Sequence, residues 1–155
     1  MNQFYVPFFN KSIRVTYTDK GLTEITFVNK KYQKSFLKDQ FAKKADKVLR
    51  LYIRGDIQKI DLPIDWQSIE ATSFQKNVWK KMIKIPYGKV KTYGELARAA
   101  GSPKAFRAVG SVCGKNHLLL IVPCHRVVSS QGLGGFSGGG LPIKRKLHQL
   151  EGIEI

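Results

Sequence analysis

One short cue, used twice, constrains this chain most: Thr72-x-x-Gln75 and, later, Thr92-x-x-Glu95. In each, a hydroxyl can accept from the backbone N–H three residues on while the Gln or Glu side chain reaches back, so each marks a helix start. The first predicts a helix with Phe74, Val78 and Met82 on its apolar face, stopping before Pro86-Tyr87-Gly88. The second predicts a helix that ends at Gly101. Ser102-Pro103 then reads as the cap of a third helix, with proline at the favoured first position and Ala105, Val109 and Val112 as the buried stripe. Two short helices joined by a tight Gly-containing turn are the pattern of a helix-turn-helix.

The flanking segments have a different texture. Ile13 to Tyr17 alternates, Thr18-Asp19-Lys20-Gly21 supplies a turn and Leu22 to Val28 is rich in β-formers, so a hairpin is expected, with a further strand at Phe4 to Phe8. A helical stripe of Leu37, Phe41, Ala45, Val48 and Tyr52 follows, ended by Gly55, and Asp56 to Trp66 reads as a connecting loop. Beyond the three helices, the apolar run Leu118 to Val122 predicts a buried strand. The Gly-rich stretch 132–140 separates it from a last helix carrying Ile143, Leu147 and Leu150. The expected fold class is α/β (α+β). A small domain over 1–68 has an antiparallel sheet and a helix; a mainly helical domain over 69–155 has a helix-turn-helix, winged-helix-like motif.

Charge narrows the partner. The chain carries +16 at neutral pH, a self-repulsion that favours a polyanionic partner, nucleic acid ahead of an anionic membrane surface. Residues 1–68 hold 13 Lys/Arg against 7 Asp/Glu, net +6, and residues 69–155 hold 14 against 4, net +10, so the helix-turn-helix half is the more basic. No apolar run approaches the roughly 20 residues of a membrane-spanning helix. The start Met1-Asn2-Gln3-Phe4-Tyr5 lacks the pattern of a signal peptide, so a cytoplasmic protein with no membrane partner is expected. Free thiols at Cys113 and Cys124 follow from the same expectation, and neither they nor His117, His125 and His148 show metal-ligand spacing.

Pro123-Cys124-His125-Arg126-Val127 is the stretch that carries chemistry. Pro123 pins the backbone where the thiol emerges, and an imidazole stands beside it in sequence. A thiolate is a strong nucleophile once a base or cation favours it. In an extended segment neighbouring side chains diverge, so contact between Cys124 and His125 needs a turn or a bridging water; the water is the favoured reading. A lone Cys-His pair is equally compatible with an inert buried cysteine beside a structural histidine.

The surroundings change that balance. Ile85-Pro86-Tyr87-Gly88-Lys89-Val90, Thr92-Tyr93-Gly94-Glu95-Leu96-Ala97, the stretch 103–110 (PKAFRAVG), the stretch 121–128 (IVPCHRVV) and Phe136-Ser137-Gly138-Gly139 together resemble the O6-alkylguanine-DNA alkyltransferase family. The resemblance runs in register from Ser73 to Gly152; the first 68 residues match in broad layout alone. It implies a DNA repair protein that flips O6-alkylguanine out of duplex DNA and takes the alkyl group irreversibly onto its own cysteine, one lesion per molecule. Cys124 then resembles the alkyl acceptor, His125 the residue that takes its proton through water, and Glu151 the carboxylate that orients the histidine. Tyr93 resembles the phenol that bonds guanine N3, and Asn116 the side chain that braces backbone on either side of the cysteine. Arg107 resembles the finger that replaces the extruded nucleotide, on a helix whose small Ala105, Ala108 and Gly110 allow close approach to the minor groove. Val128, Ser137 and Gly138 resemble contacts to the guanine, and Arg126 is grouped with the DNA-binding residues. The family implies no cofactor, no metal, double-stranded DNA containing O6-alkylguanine as partner, and a monomer.

Without the resemblance, Glu151 reads as an exposed carboxylate past the last helix, Tyr93 as a packing aromatic, Arg107 as a phosphate contact and Asn116 as a C-cap. Three positions depart from the family: His117 stands where proline is common, Gly140 lengthens the Gly-rich lid, and Cys113 lies on the inner side of the third helix. Two other functions are weighed, a lesion-binding module without transfer and a multiple-turnover cysteine hydrolase. The presence of Cys124 argues against the first, the basic helix with Arg107 against the second.

Overall fold

In the computed structural model, residues 2–136 and 138–155 are described. The chain divides into two compact units, Met1–Ile69 and Glu70–Ile155.

The first unit is an antiparallel meander of β1 (Asn2–Phe8), β2 (Lys11–Thr18) and β3 (Gly21–Val28), followed by α1 (Gln40–Ile53). Alternation puts Phe4, Val6 and Phe8 of β1 and Ile13, Val15 and Tyr17 of β2 in the core, as a strand period of two requires. The buried face of α1 is Ala42, Ala45, Leu49 and Tyr52: Ala45 and Tyr52 of the expected stripe are on it, whereas Phe41 and Val48 are half-buried and Leu37 precedes the helix. The reason is the cap. Asp39 accepts from the Ala42 N–H at 2.9 Å and from the Tyr17 hydroxyl at 3.1 Å, which starts the helix after Leu37 and sets its rotation. The loop after α1 returns to the sheet, where Leu22 donates to Pro63 and receives from Asp65, both at 2.9 Å. Gly21 sits under that return, and a β-carbon there would lie 2.6 Å from the Pro63 oxygen.

The second unit is built from α2 (Ser73–Ile83), β4 (Lys91–Thr92), α3 (Tyr93–Ala99), α4 (Phe106–Gly114), β5 (Val127–Val128) and α5 (Leu141–Glu151). Both capping boxes form in both directions: Gln75 and Glu95 each donate their backbone N–H to the threonine hydroxyl at 3.1 Å and accept from the threonine N–H. Val78, Trp79 and Met82 are the buried face of α2, and the Trp79 indole N–H donates to the Val112 carbonyl at 3.1 Å, tying α2 to α4. α3 stops at Gly101, whose φ of 79° is open to glycine.

Two expected elements are different in the structure. Ser102-Pro103 does not cap α4: these residues form a turn in which Ala105 donates to the Ser102 carbonyl at 2.9 Å, and the helix starts at Phe106 without a side-chain cap. Proline at the second position of a turn is as favourable as proline at a helix start, so the same dipeptide suits both. Leu118 to Val122 is buried but is not a strand. It is a coiled turn, closed by Val122 N–H to the Leu118 carbonyl at 2.9 Å, with Leu120 at a positive φ of 75°. A short apolar run reports burial and leaves the backbone conformation open. Among the described residues no helix is long and apolar enough to cross a membrane.

The α3 box also sets where Tyr93, the first residue of that helix, emerges. Thr92→Ala is expected to cost about 1 kcal/mol of folding stability, the usual loss of a helix cap, read as a lower urea midpoint at unchanged slope.

Candidate functional site

Pro123 ends the coiled turn, and Cys124-His125-Arg126 forms one 3-10 turn in which Arg126 donates its N–H to the Pro123 carbonyl at 2.8 Å. Cys124 and His125 therefore lie on a turn, not on extended chain. β5 follows at once and pairs in parallel with β4, Lys91 opposite Val127 and Thr92 opposite Val128. This pairing brings Tyr93, the residue after β4, into the same region as the turn.

His125 is buried, and its Nε2 lies 2.7 Å from Glu151 Oε2. An ionised carboxylate accepts only, so Nε2 carries the hydrogen and Nδ1 holds the lone pair. That Nδ1 is buried with no hydrogen-bond partner among the described residues. Burial holds the His125 pKa below its ordinary value, against the opposing pull of Glu151, so the imidazole is neutral and able to accept a proton.

Glu151 corrects the expectation of an exposed group beyond the helix. It is the last residue of α5 and its side chain is fully buried. Besides His125, it accepts from Arg126 Nε at 2.8 Å, Arg126 Nη2 at 2.9 Å and the Gly88 N–H at 3.1 Å. Arg126 in turn donates through Nη1 to the Ile85 carbonyl at 2.7 Å and lies over the Tyr87 ring. Arg126 is thus corrected as well: grouped with DNA-binding residues from sequence, it is buried and its guanidinium is directed inward to Glu151. A bidentate partner in a dry interior holds it there. The Pro86-Tyr87-Gly88 motif belongs to this arrangement, because Gly88, at a φ of 78°, turns its N–H onto Glu151, and Tyr87 donates its hydroxyl to the Leu150 carbonyl at 3.0 Å.

Asn116 accepts from the Leu118 N–H at 2.8 Å and donates to the Val122 carbonyl at 2.7 Å. Both backbone groups precede Cys124, so the side chain braces the coiled turn from within instead of spanning the cysteine. It also touches the thiol. Burial pushes the Cys124 pKa up to about 11, while the Asn116 hydrogen bond, the Lys144 charge and the backbone N–H groups of Cys124 and His125 pull it back. At neutral pH the sulfur is a thiol.

Sequence reasoning missed Lys144 and His148. Lys144 is completely buried, donating to the carbonyls of Val127 at 2.8 Å and Gly135 at 3.0 Å. Burial lowers its pKa to about 8. His148 is buried too, and its Nε2 bonds the His125 carbonyl. Their signal was present: 144, 148 and 151 share one helical face with Ile143 and Leu147, and polar groups on an apolar stripe need buried partners.

The remaining expected residues take different places. Tyr93, Gly110, Cys113, Gly114, Cys124, Gly135 and Phe136 line one cavity of about 40 Å³, room for a water or so. Gly110 lies against the Tyr93 ring, where an added β-carbon would sit in ordinary contact at 3.9 Å. Cys113 is buried with its sulfur 3.9 Å from the Met82 sulfur, and burial raises its pKa to about 12. Val128 is buried in β5, and a β-carbon on Gly138 would meet Leu119 at 2.8 Å. Ser137 lies outside the described residues. Arg107 and Ala108 are exposed on α4, whereas Ala105, half-buried, is its N-cap and not part of a buried stripe. His117, the departure before the coiled turn, packs its ring against Trp79. Among the described residues no group of three or more His, Cys, Asp or Glu is placed to hold a metal.

The class defined by fold and site is a helix-turn-helix protein whose core holds a buried thiol beside a histidine-carboxylate pair. Residues 73–153 match the family described as 6-O-methylguanine DNA methyltransferase, DNA binding domain. The chain is 43% identical over 115 residues to a methylated-DNA–protein-cysteine methyltransferase of Methanosarcina acetivorans, covering 74% of this chain and 71% of that one. It is 39% identical over 139 residues to the Methanosarcina barkeri protein of the same name, covering 86% and 85%. Among solved structures it is similar to the Mycobacterium tuberculosis O6-methylguanine methyltransferase, with a TM-score of 0.80 at 32% identity over 97% of this chain and 93% of that one. The chain belongs to the O6-methylguanine-DNA methyltransferase family. A Mycobacterium tuberculosis member solved in complex with DNA matches with a TM-score of 0.77 at 35% identity, over 90% of this chain and 86% of that one.

Two measurements test the geometry. Glu151→Gln leaves the buried Arg126 without its counter-charge and should cost roughly 3 kcal/mol or more of stability, read by urea unfolding. Thiolate absorbance of the intact protein, less that of Cys124→Ala, should rise with a midpoint near pH 11. A midpoint near neutrality would show a resting thiolate.

Proposed function

We propose that this chain repairs O6-alkylguanine in double-stranded DNA by moving the alkyl group to Cys124, once per molecule and without a cofactor. The observation that carries this reading is the unpartnered lone pair on His125 Nδ1 beside a protonated Cys124, with Nε2 fixed on Glu151.

His125 takes the thiol proton through Nδ1, by way of a bridging water, and Glu151 stabilises the imidazolium that results. The charge of Lys144, the Asn116 side chain and two backbone N–H groups lower the cost of the thiolate as it forms. The sulfur then bonds to the alkyl carbon while that carbon's bond to guanine O6 breaks. The electron pair left on the base is matched by a proton from Tyr93 at guanine N3, and the thiol proton, relayed, balances the sum: a thioether and a restored guanine. Burial raises the Tyr93 pKa, which suits a group that begins as a neutral donor. Nothing regenerates the thiol.

The cavity of about 40 Å³ is far smaller than a purine. Guanine can enter only if the Gly135-Phe136 side moves, and it must first leave the stack, because the alkyl carbon is not open to in-line attack inside a duplex. Arg107, exposed on α4, fills the gap that the extruded nucleotide leaves; Ala108 and Gly110 let α4 lie close to the groove. Val128, Ser137 and Gly138 contact the base. The protein acts as a monomer, in the cytoplasm and associated with DNA.

Mixing stoichiometric protein with a duplex carrying O6-methylguanine should add the mass of one CH2 to the Cys124 peptide. Binding without mass gain would instead indicate a lesion-binding module, and repeated turnover by unmodified protein would overturn the single-use reaction. Cys124→Ala should still bind the duplex. Arg107→Ala should lose transfer from duplex DNA by about a hundredfold, at the upper end of what one contact at a flipped base contributes.

A further inference from the structure

Phe106 is the one large apolar side chain that α4 leaves in solvent among the described residues, 50% exposed at the first position of the helix. Its neighbours on the exposed side are small: Ala108, Ser111 and Gly114. Among the exposed residues of α4 Arg107 alone matches it in bulk, and the Arg107 guanidinium lies 5.9 Å from the centre of the Phe106 ring. An aromatic ring of this size left in water is unfavourable, and nothing in the packing of α4 needs it there, since Val109, Val112 and Cys113 supply the buried face. The cation-π contact also holds the flexible arginine over a rigid group before any partner arrives.

We infer that Phe106 and Arg107 form a two-part wedge, in which Phe106 enters or caps the base stack at the step next to the extruded nucleotide while Arg107 takes the vacated place. This rests on the reading that α4 meets DNA, and it deepens it by assigning the opening of the stack to an apolar ring as well as a cation. Apolar side chains inserted at a base step offset lost stacking with new stacking, and every base offers a face to an aromatic ring. A small-residue helix face brings the backbone close, so a single ring at its end reaches the step without a long lever. The pairing divides the work: the ring replaces base-to-base stacking, and the guanidinium replaces hydrogen bonds and phosphate attraction in the gap.

The test compares alkyl transfer by wild type, Phe106→Ala, Phe106→Leu and Phe106→Trp on three donors: O6-methylguanine in a duplex, the same strand alone, and free O6-methylguanosine. Phe106→Ala should slow transfer from the duplex about tenfold, the scale of one aromatic-base stack. It should leave the free nucleoside at the wild-type rate and affect the single strand least of the two polymers. Phe106→Trp should restore the duplex rate and Phe106→Leu restore part of it. A Phe106→Ala protein that repairs duplex DNA at the wild-type rate overturns the wedge, and so does an equal loss on all three donors, which would mean a disturbed site. If the wild type itself transfers nothing from any donor, the failure lies with the alkyl-transfer reading.

Discussion

The buried carboxylate of Glu151 is the constraint on which the second unit depends. It accepts from the Gly88 N–H, from His125 and twice from Arg126, so it joins the end of α5 to two separated stretches of chain. A lone buried carboxylate would be prohibitive; paired with one guanidinium and a neutral imidazole, the group is close to electroneutral. Each donor also has its own second contact. Arg126 reaches Ile85, and Gly88 belongs to the turn whose Tyr87 grips the end of α5 at Leu150. Removing the acceptor therefore loosens the turn after α2, the cysteine turn and the last turn of α5 together.

The resting thiol is a consequence of that dry interior. Desolvation dominates at Cys124 and at Lys144, and it acts in opposite directions on a thiol and an ammonium. Each charge, once formed, favours the other, so the pair is poised for a thiolate without holding one at rest. A nucleophile kept protonated at neutral pH is protected from adventitious alkylation and oxidation. Asn116 contributes twice, to the thiol and to the backbone of the coiled turn, so the polarity at the sulfur and the shape of the turn are not independent.

Much of this was legible in the sequence, for local reasons. Capping boxes at Thr72 and Thr92 are satisfied within four residues, and a strand alternation needs only a sheet to face, so α2, α3 and β1 to β3 could be read directly. What could not be read depended on distant partners. Ser102-Pro103 suits a turn or a helix start equally, and only the packing of α4 through Val109, Val112 and Cys113 decides. Leu118 to Val122 announced burial but not that Asn116 would bend it into a turn. Glu151 and Arg126 looked like surface charges because a sequence does not display the mutual burial that joins them, and Lys144 was passed over for the same reason although its helical spacing put it inside. The family resemblance singled out Cys124, His125 and Glu151; the structure supplies the bonds that hold the last two.

The two-rung pairing of β4 with β5 carries a consequence for chain length. Thr92 faces Val128 one residue before Tyr93 and four after Cys124, so the ladder fixes the register between the two halves of the site. A residue inserted or deleted between Thr92 and Tyr93, or between Cys124 and Val127, would displace the phenol or the thiol relative to this fixed pairing. Among the described residues the Gly-rich stretch 132–140 shows one isolated bridge, between Ser129 and Gly132, and no longer ladder, so its length is less constrained. Drift in length among such chains should accordingly collect there and vanish from 91–93 and 124–128, leaving two fixed rulers followed by an elastic segment.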